Sequence, residues 1–155
     1  MARKNIFSQK ITVEQPMDWV WEVLTDPFYF AIWFGGTPVT DWAVGSPLVL
    51  KISAKMPQWD NHGFVLGFQA HKLLSFSLHN PMTMLPDTPE HREEVTLQLQ
   101  PVGKKVHIQV DVTIGEVNET VEQMIQTNWR RCLPSLKKTI NDAYLKAQKL
   151  TSKTN

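Results

Sequence analysis

The sequence predicts an α+β fold: a curved antiparallel sheet of six or seven strands wrapped on one long C-terminal helix, with two short helices after the first strand. Three observations predict it. Between residues 47 and 114 the apolar residues fall at every second position in run after run, the pattern of strands with one buried and one wet face. Short connections separate these runs, so neighbours pair as hairpins. From residue 117 the apolar spacing lengthens to three and four, and it persists for about nine helical turns.

The elements follow in order. Residues 6–14 alternate, with Phe7, Ile11 and Val13 on one face of a first strand. Pro16 stands where helices begin, and Met17, Val20, Trp21 and Leu24 then recur at helical spacing. Asp26-Pro27 breaks that helix and starts a second, with Asp26 as cap and Pro27 at the first position. Gly35-Gly36 ends it.

A short strand before Gly45 opens the sheet. Leu48, Leu50, Ile52 and Ala54 share one face of the next strand, and 56–63 forms a turn. Phe64, Leu66 and Phe68 share a face, as do Leu74, Phe76 and Leu78. Residues 80–91 hold three prolines and form a loop. Val95, Leu97 and Leu99 alternate, Gly103 turns a hairpin, and Val106 through Ile114 alternate again. Gly115 punctuates before a helix over roughly 117–149, within which Pro134 is expected to introduce a kink.

The chain has 155 residues, enough for one core, and no linker-like break. One domain over 1–155 is expected, ordered over about 6–148. Sixteen basic and fifteen acidic residues leave a net charge of +1, which argues against nucleic-acid binding. Seven basic residues crowd into 130–155, but Glu116, Glu119 and Glu122 open the same helix, the polarity that a helix dipole favours. A single cysteine excludes a disulfide framework. No segment approaches the roughly 18 apolar residues of a membrane span, and no secretory signal opens the chain. No membrane insertion and a cytoplasmic location are expected.

This order of elements is the helix-grip arrangement. The segment ITVEQPMDWVWEVLTDPFYFAIWF resembles the opening of the SRPBCC (START/birch-pollen-allergen-like) superfamily. TDWAVGSPLVL resembles its step into the next strand, and NWRRCLPSLKKTI its C-terminal helix. Together they resemble the branch of heat-shock protein 90 ATPase activator homologues, over about residues 6–146. The resemblance implies an apolar cavity between sheet and helix that holds a small hydrophobic or amphipathic molecule. Some members of the superfamily are cyclases or other enzymes. The eukaryotic activator carries this domain behind a chaperone-binding domain that has no counterpart in these 155 residues. A chaperone-associated or stress-response interaction protein is the alternative reading, and a cyclase- or hydrolase-type enzyme using the same cavity is the second.

Alternation sets the candidate lining. Phe64, Leu66, Phe68, Phe76 and Leu78 point at the long helix, as do Leu97 and Val110. Met124, Ile125 and Trp129 point back from it, and Trp33, Phe34 and Trp42 approach from the opposite end. The same pattern also describes an ordinary packed core. In the 80–91 loop, Met82 and Met84 either form a mouth to the cavity or cap the end of the sheet. Met56 and Trp59 at another tip pose the same choice, and an exposed Trp59 would mark a partner surface.

No catalytic set emerges. The five histidines show no metal-ligand spacing, and no cofactor or metal is expected. Parity turns His79 and His107 outward, and Cys132 falls near the buried stripe of the helix as an inert thiol.

Overall fold

The computed structural model describes residues 2–154. Strand β1 (Lys4–Val13) leads into helices α1 (Met17–Thr25) and α2 (Pro27–Phe34). Then come β2 (Thr37–Val39), β3 (Pro47–Lys51), β4 (Asn61–Gln69), β5 (Leu73–Leu78), β6 (Glu93–Val102) and β7 (Lys105–Ile114). Helix α3 (Glu119–Thr154) closes the chain and runs without interruption through Pro134. The seven described strands form one curved antiparallel sheet in the order β1-β7-β6-β5-β4-β3-β2.

Local chemistry explains the turns. The Asp26 carboxylate accepts from the Phe28 N–H at 2.8 Å, with Pro27 behind it, so α2 starts where an orphan donor is satisfied. It ends at Gly35, whose φ of +101° a side chain would resist. Asn118 caps α3 by accepting from the Val121 N–H at 2.9 Å.

The buried stripe of α3 runs Val121, Ile125, Trp129, Cys132, Leu133, Leu136 and Ile140 and lies on the sheet. Phe30, Trp33, Phe34, Phe76 and Trp129 interlock beside it. Phe34 lies 5.3 Å from Trp129 and 6.2 Å from Phe76, centroid to centroid. Trp42 and Phe68 make a second aromatic group, stacked at 5.6 Å, with Trp21 edge-on to Phe68.

Register shifts interrupt alternation in β1, between Asn5 and Phe7, and in β4, where the expected faces change. In β4, Val65 is opposite Phe76 but Phe68 is opposite Leu74, so one extra residue sits in β4 between two inward positions. This is a β-bulge, and it reverses parity. Phe68 faces inward as expected. Phe64 and Leu66, expected inward, are 40% and 42% exposed, and Val65 takes the core position at 0%. Phe64 instead lies under the Arg92 guanidinium, 5.3 Å from its ring centroid. Gly63 reinforces the register, because a Cβ there would overlap the Ser77 carbonyl.

Two smaller expectations change as well. Strand β3 stops at Lys51, which leaves Ile52 exposed. His79 is buried, not outward: it bridges His62 and its Nε2 lies 2.7 Å from the Leu85 carbonyl. A carbonyl only accepts, so Nε2 carries the proton. Trp59 is half-buried. Among the described residues no helix is long and apolar enough to cross a membrane.

Candidate functional site

The end of the sheet at the start of β6 does not seal against α3. A pocket of about 330 Å³ opens there. The 80–91 segment walls one side, with Asn80, Met82, Thr83 and His91. Leu78 and Glu93 come from the sheet. Met124, Ile125, Thr127, Asn128 and Arg131 come from two turns of α3.

The 80–91 segment holds its shape through its own polar atoms. Asn80 accepts from the Met82 N–H at 2.9 Å and starts a single helical turn, Pro81–Thr83. The Thr83 hydroxyl donates to the Asn80 carbonyl at 2.8 Å. His91 Nδ1 lies 2.8 Å from the Pro86 carbonyl and 3.0 Å from the Thr88 hydroxyl. Gly115, at the end of β7, lets this segment close in, since a Cβ there would meet the Glu90 carbonyl at 2.6 Å.

Glu93 is the unusual group. It is buried, and Trp129 Nε1 donates to its Oε2 at 3.3 Å. Oε1 has no hydrogen-bond partner among the described residues. Loss of water raises the carboxyl from its ordinary 4.5 to about 7, against the opposing pull of the indole N–H. The pocket therefore contains a carboxyl that is about half protonated at neutrality and largely protonated below it. Such a group can donate a hydrogen bond or a proton to a bound molecule.

The rim is cationic. Arg131 Nη2 donates to Asn128 Oδ1 at 2.7 Å and to the Phe34 carbonyl at 3.4 Å, and Arg131 has no ion-pair partner among the described residues. Cys132, next along the helix, is buried, and desolvation pushes its thiol up to about 11. It is not a nucleophile in this state. Among the described residues no group of three or more His, Cys, Asp or Glu side chains is placed to hold a metal ion.

The expected lining residues part company here. Leu78, Met82, Met124 and Ile125 line the pocket. Trp33, Phe34, Phe76, Leu97, Val110 and Trp129 do not; they pack on one another in the core. Trp42 and Phe68 sit with Trp21, and the Trp42 indole N–H donates to the Thr25 carbonyl at 3.2 Å. Met84, in a left-handed turn, is 83% exposed and outside the lining. Apolar alternation does not point to the polar members Asn80, Thr83, His91, Glu93, Thr127, Asn128 and Arg131. For Glu93 the signal was present: it shares parity with Val95, Leu97 and Leu99.

Residues 14–141 match the family described as activator of Hsp90 ATPase homolog 1-like protein. The chain belongs to this family. Within the SRPBCC superfamily it keeps the long helix and the short helices after β1. No curated protein gives a significant match. Among solved structures, ChR145 from Cytophaga hutchinsonii is 29% identical, with TM-score 0.70, over 93% of this chain and 99% of that one. The Aha1 dimer from Colwellia psychrerythraea is 15% identical, with TM-score 0.69, over 90% and 96%. DynU16, from the dynemicin biosynthetic locus, is 18% identical with TM-score 0.70 over 86% of this chain. The chain spans 46% of the length of DynU16. At 15% and 18% identity the last two matches establish the fold alone.

Proposed function

We propose that this family member binds a small amphipathic molecule in the pocket between the start of β6 and α3. The family and its solved neighbours fit a ligand-binding fold. The observation that carries the reading is Glu93, a buried carboxyl on the pocket wall with one oxygen unpartnered. That oxygen is open to the pocket, where a ligand group can take the place of water as its hydrogen-bond partner. Leu78, Ile125 and Met124 offer the apolar surface that small-molecule sites show around a few polar groups. Met82 at the rim adds a flexible wall.

Native mass spectrometry of the purified protein tests for a retained ligand. Fluorescence of 1-anilinonaphthalene-8-sulfonate tests the site directly. Wild type is expected to enhance the dye, and Met124→Trp, which fills the pocket from α3, to abolish the enhancement without lowering the melting temperature. Equal enhancement in both proteins would place the dye elsewhere and remove the reading.

A second reading rests on the same Glu93. A carboxyl that titrates at about 7 is suited to act as a general acid toward a bound carbonyl. Turnover of a carbonyl substrate by wild type, absent in Glu93→Gln, is the outcome that would raise catalysis above simple binding.

A further inference from the structure

The hydrogen-bonding atoms that the pocket leaves free are mostly donors. Asn80 Oδ1 is already occupied by the Met82 N–H, and Asn128 Oδ1 by the Arg131 guanidinium. Both partners can only donate, so the orientation of each amide is settled, and the NH₂ group of each is the part without a partner among the described residues. Arg131 spends Nη2 on neutral acceptors. Its Nη1 and Nε have no partner among the described residues and can only donate.

Resting on the pocket reading above, we propose that the ligand is a small amphipathic anion whose tail lies on Leu78, Met124 and Ile125, while an oxygen of its head group accepts from the Glu93 carboxyl and Arg131 balances its charge. An alkylammonium would leave both amide donors unmatched and add a second cation beside Arg131. An alcohol would use one donor and leave the guanidinium uncompensated. An anion with two acceptor oxygens answers both needs.

The contact with Glu93 requires its proton, so affinity depends on pH. The titratable and charged groups near it are few. His91 comes from the 80–91 segment, and Arg131 and Cys132 from α3. From β5 its paired residue is the apolar Leu78. Its sequence neighbours Arg92 and Glu94 have opposite parity on β6 and bond elsewhere: Arg92 to Asp87 and Glu94 to Arg3. The Nδ1 of His91 faces the Pro86 carbonyl and so carries a proton, leaving Nε2 as an acceptor while the ring is neutral.

Isothermal titration with octanoate, octanol and octylamine, which share a tail, tests the class. Octanoate is expected to bind at least tenfold tighter than either at pH 6.5. Its Kd should rise up to about tenfold per pH unit once Glu93 ionises. Glu93→Gln keeps a donor and should flatten that profile. Arg131→Gln, at the rim where folding is safe, should weaken octanoate tenfold or more and leave octanol unchanged. Octylamine binding as tightly as octanoate, or an unchanged octanoate affinity from pH 6 to 8.5, overturns the proposal while the pocket stands. Binding of none of the three at millimolar concentration overturns both the proposal and the pocket reading.

Discussion

Glu93→Gln isolates one titration from all others in the molecule. The native carboxyl titrates at about 7, and in the unfolded chain it returns to its ordinary 4.5. Between those values the folded protein holds a proton that the unfolded chain has released. The unfolded state therefore binds fewer protons, and stability falls as pH rises through this window. Below 4.5 the burial carries no ionic penalty; above 7 the penalty is complete. The rise from 4.5 to about 7, at about 1.4 kcal/mol per pH unit, makes the full loss about 3.5 kcal/mol, most of it between pH 5 and 8. For a chain of this size that is a fall of roughly 7–14 °C in melting temperature. Glutamine keeps an oxygen for the Trp129 N–H and does not titrate. The assay is urea unfolding of both proteins at half-unit steps from pH 5 to 8, plotted as their difference so that every other group cancels. The difference should move in favour of the variant by about 2–3 kcal/mol as pH rises. A difference constant within about 0.5 kcal/mol would mean that Glu93 is hydrated and ordinary, and the pocket chemistry built on it would fail.

Other expectations follow from the same structure. Trp129→Phe keeps most of the ring packing but removes the N–H that favours ionised Glu93, so the Glu93 carboxyl should titrate above 7; carbon-13 NMR of that carboxyl reads it, and an unchanged or lower value would break the assignment. Trp129→Ala should cost about 3–5 kcal/mol through lost burial and a void, and a loss below about 1 kcal/mol would contradict its place in the core. The β4 bulge makes Val65→Ala cost about 2 kcal/mol and Leu66→Ser less than about 1 kcal/mol, whereas unbroken alternation would reverse the order in urea unfolding. With its thiol pushed up to about 11, Cys132 should resist iodoacetamide at pH 8 until the protein is unfolded; prompt labelling of the native protein would show an open thiol.

A retained ligand would also change how these numbers are measured. At 100 times its Kd a ligand adds about 2.7 kcal/mol to the folded state. The Glu93 comparison therefore belongs with protein shown free of small molecules by native mass spectrometry.

How much of this was readable in the residues depends on the range of the force involved. The order of strands and helices follows from local patterning: Asp26-Pro27 starts α2 and Gly35 stops it through atoms within four residues of each other. The α3 stripe is legible because one helix keeps one face buried from Val121 to Ile140. Even Glu93 was within reach, since its parity on β6 is that of Val95 and Leu97. The inward apolar set was over-assigned to a cavity because alternation reports only which side of a strand is dry. It cannot distinguish Phe76, locked against Phe30 and Phe34, from Leu78, which reaches the pocket. Phe64 and Leu66 failed for a different reason: a single extra residue in β4 reverses every side chain before it, and Gly67 was the only local hint.

The residues alone therefore established the class of fold, the ends of the short helices and the face of α3 that is buried. These rest on periodicity and on capping chemistry, both of which act over a few residues. The position of the pocket, the proton on Glu93 and the free donors of Asn80, Asn128 and Arg131 required the fold. Glu93 meets Trp129 across 36 residues, and Arg131 meets the Phe34 carbonyl across 97. Desolvation belongs to a place in the packed molecule, and no spacing along the chain encodes it.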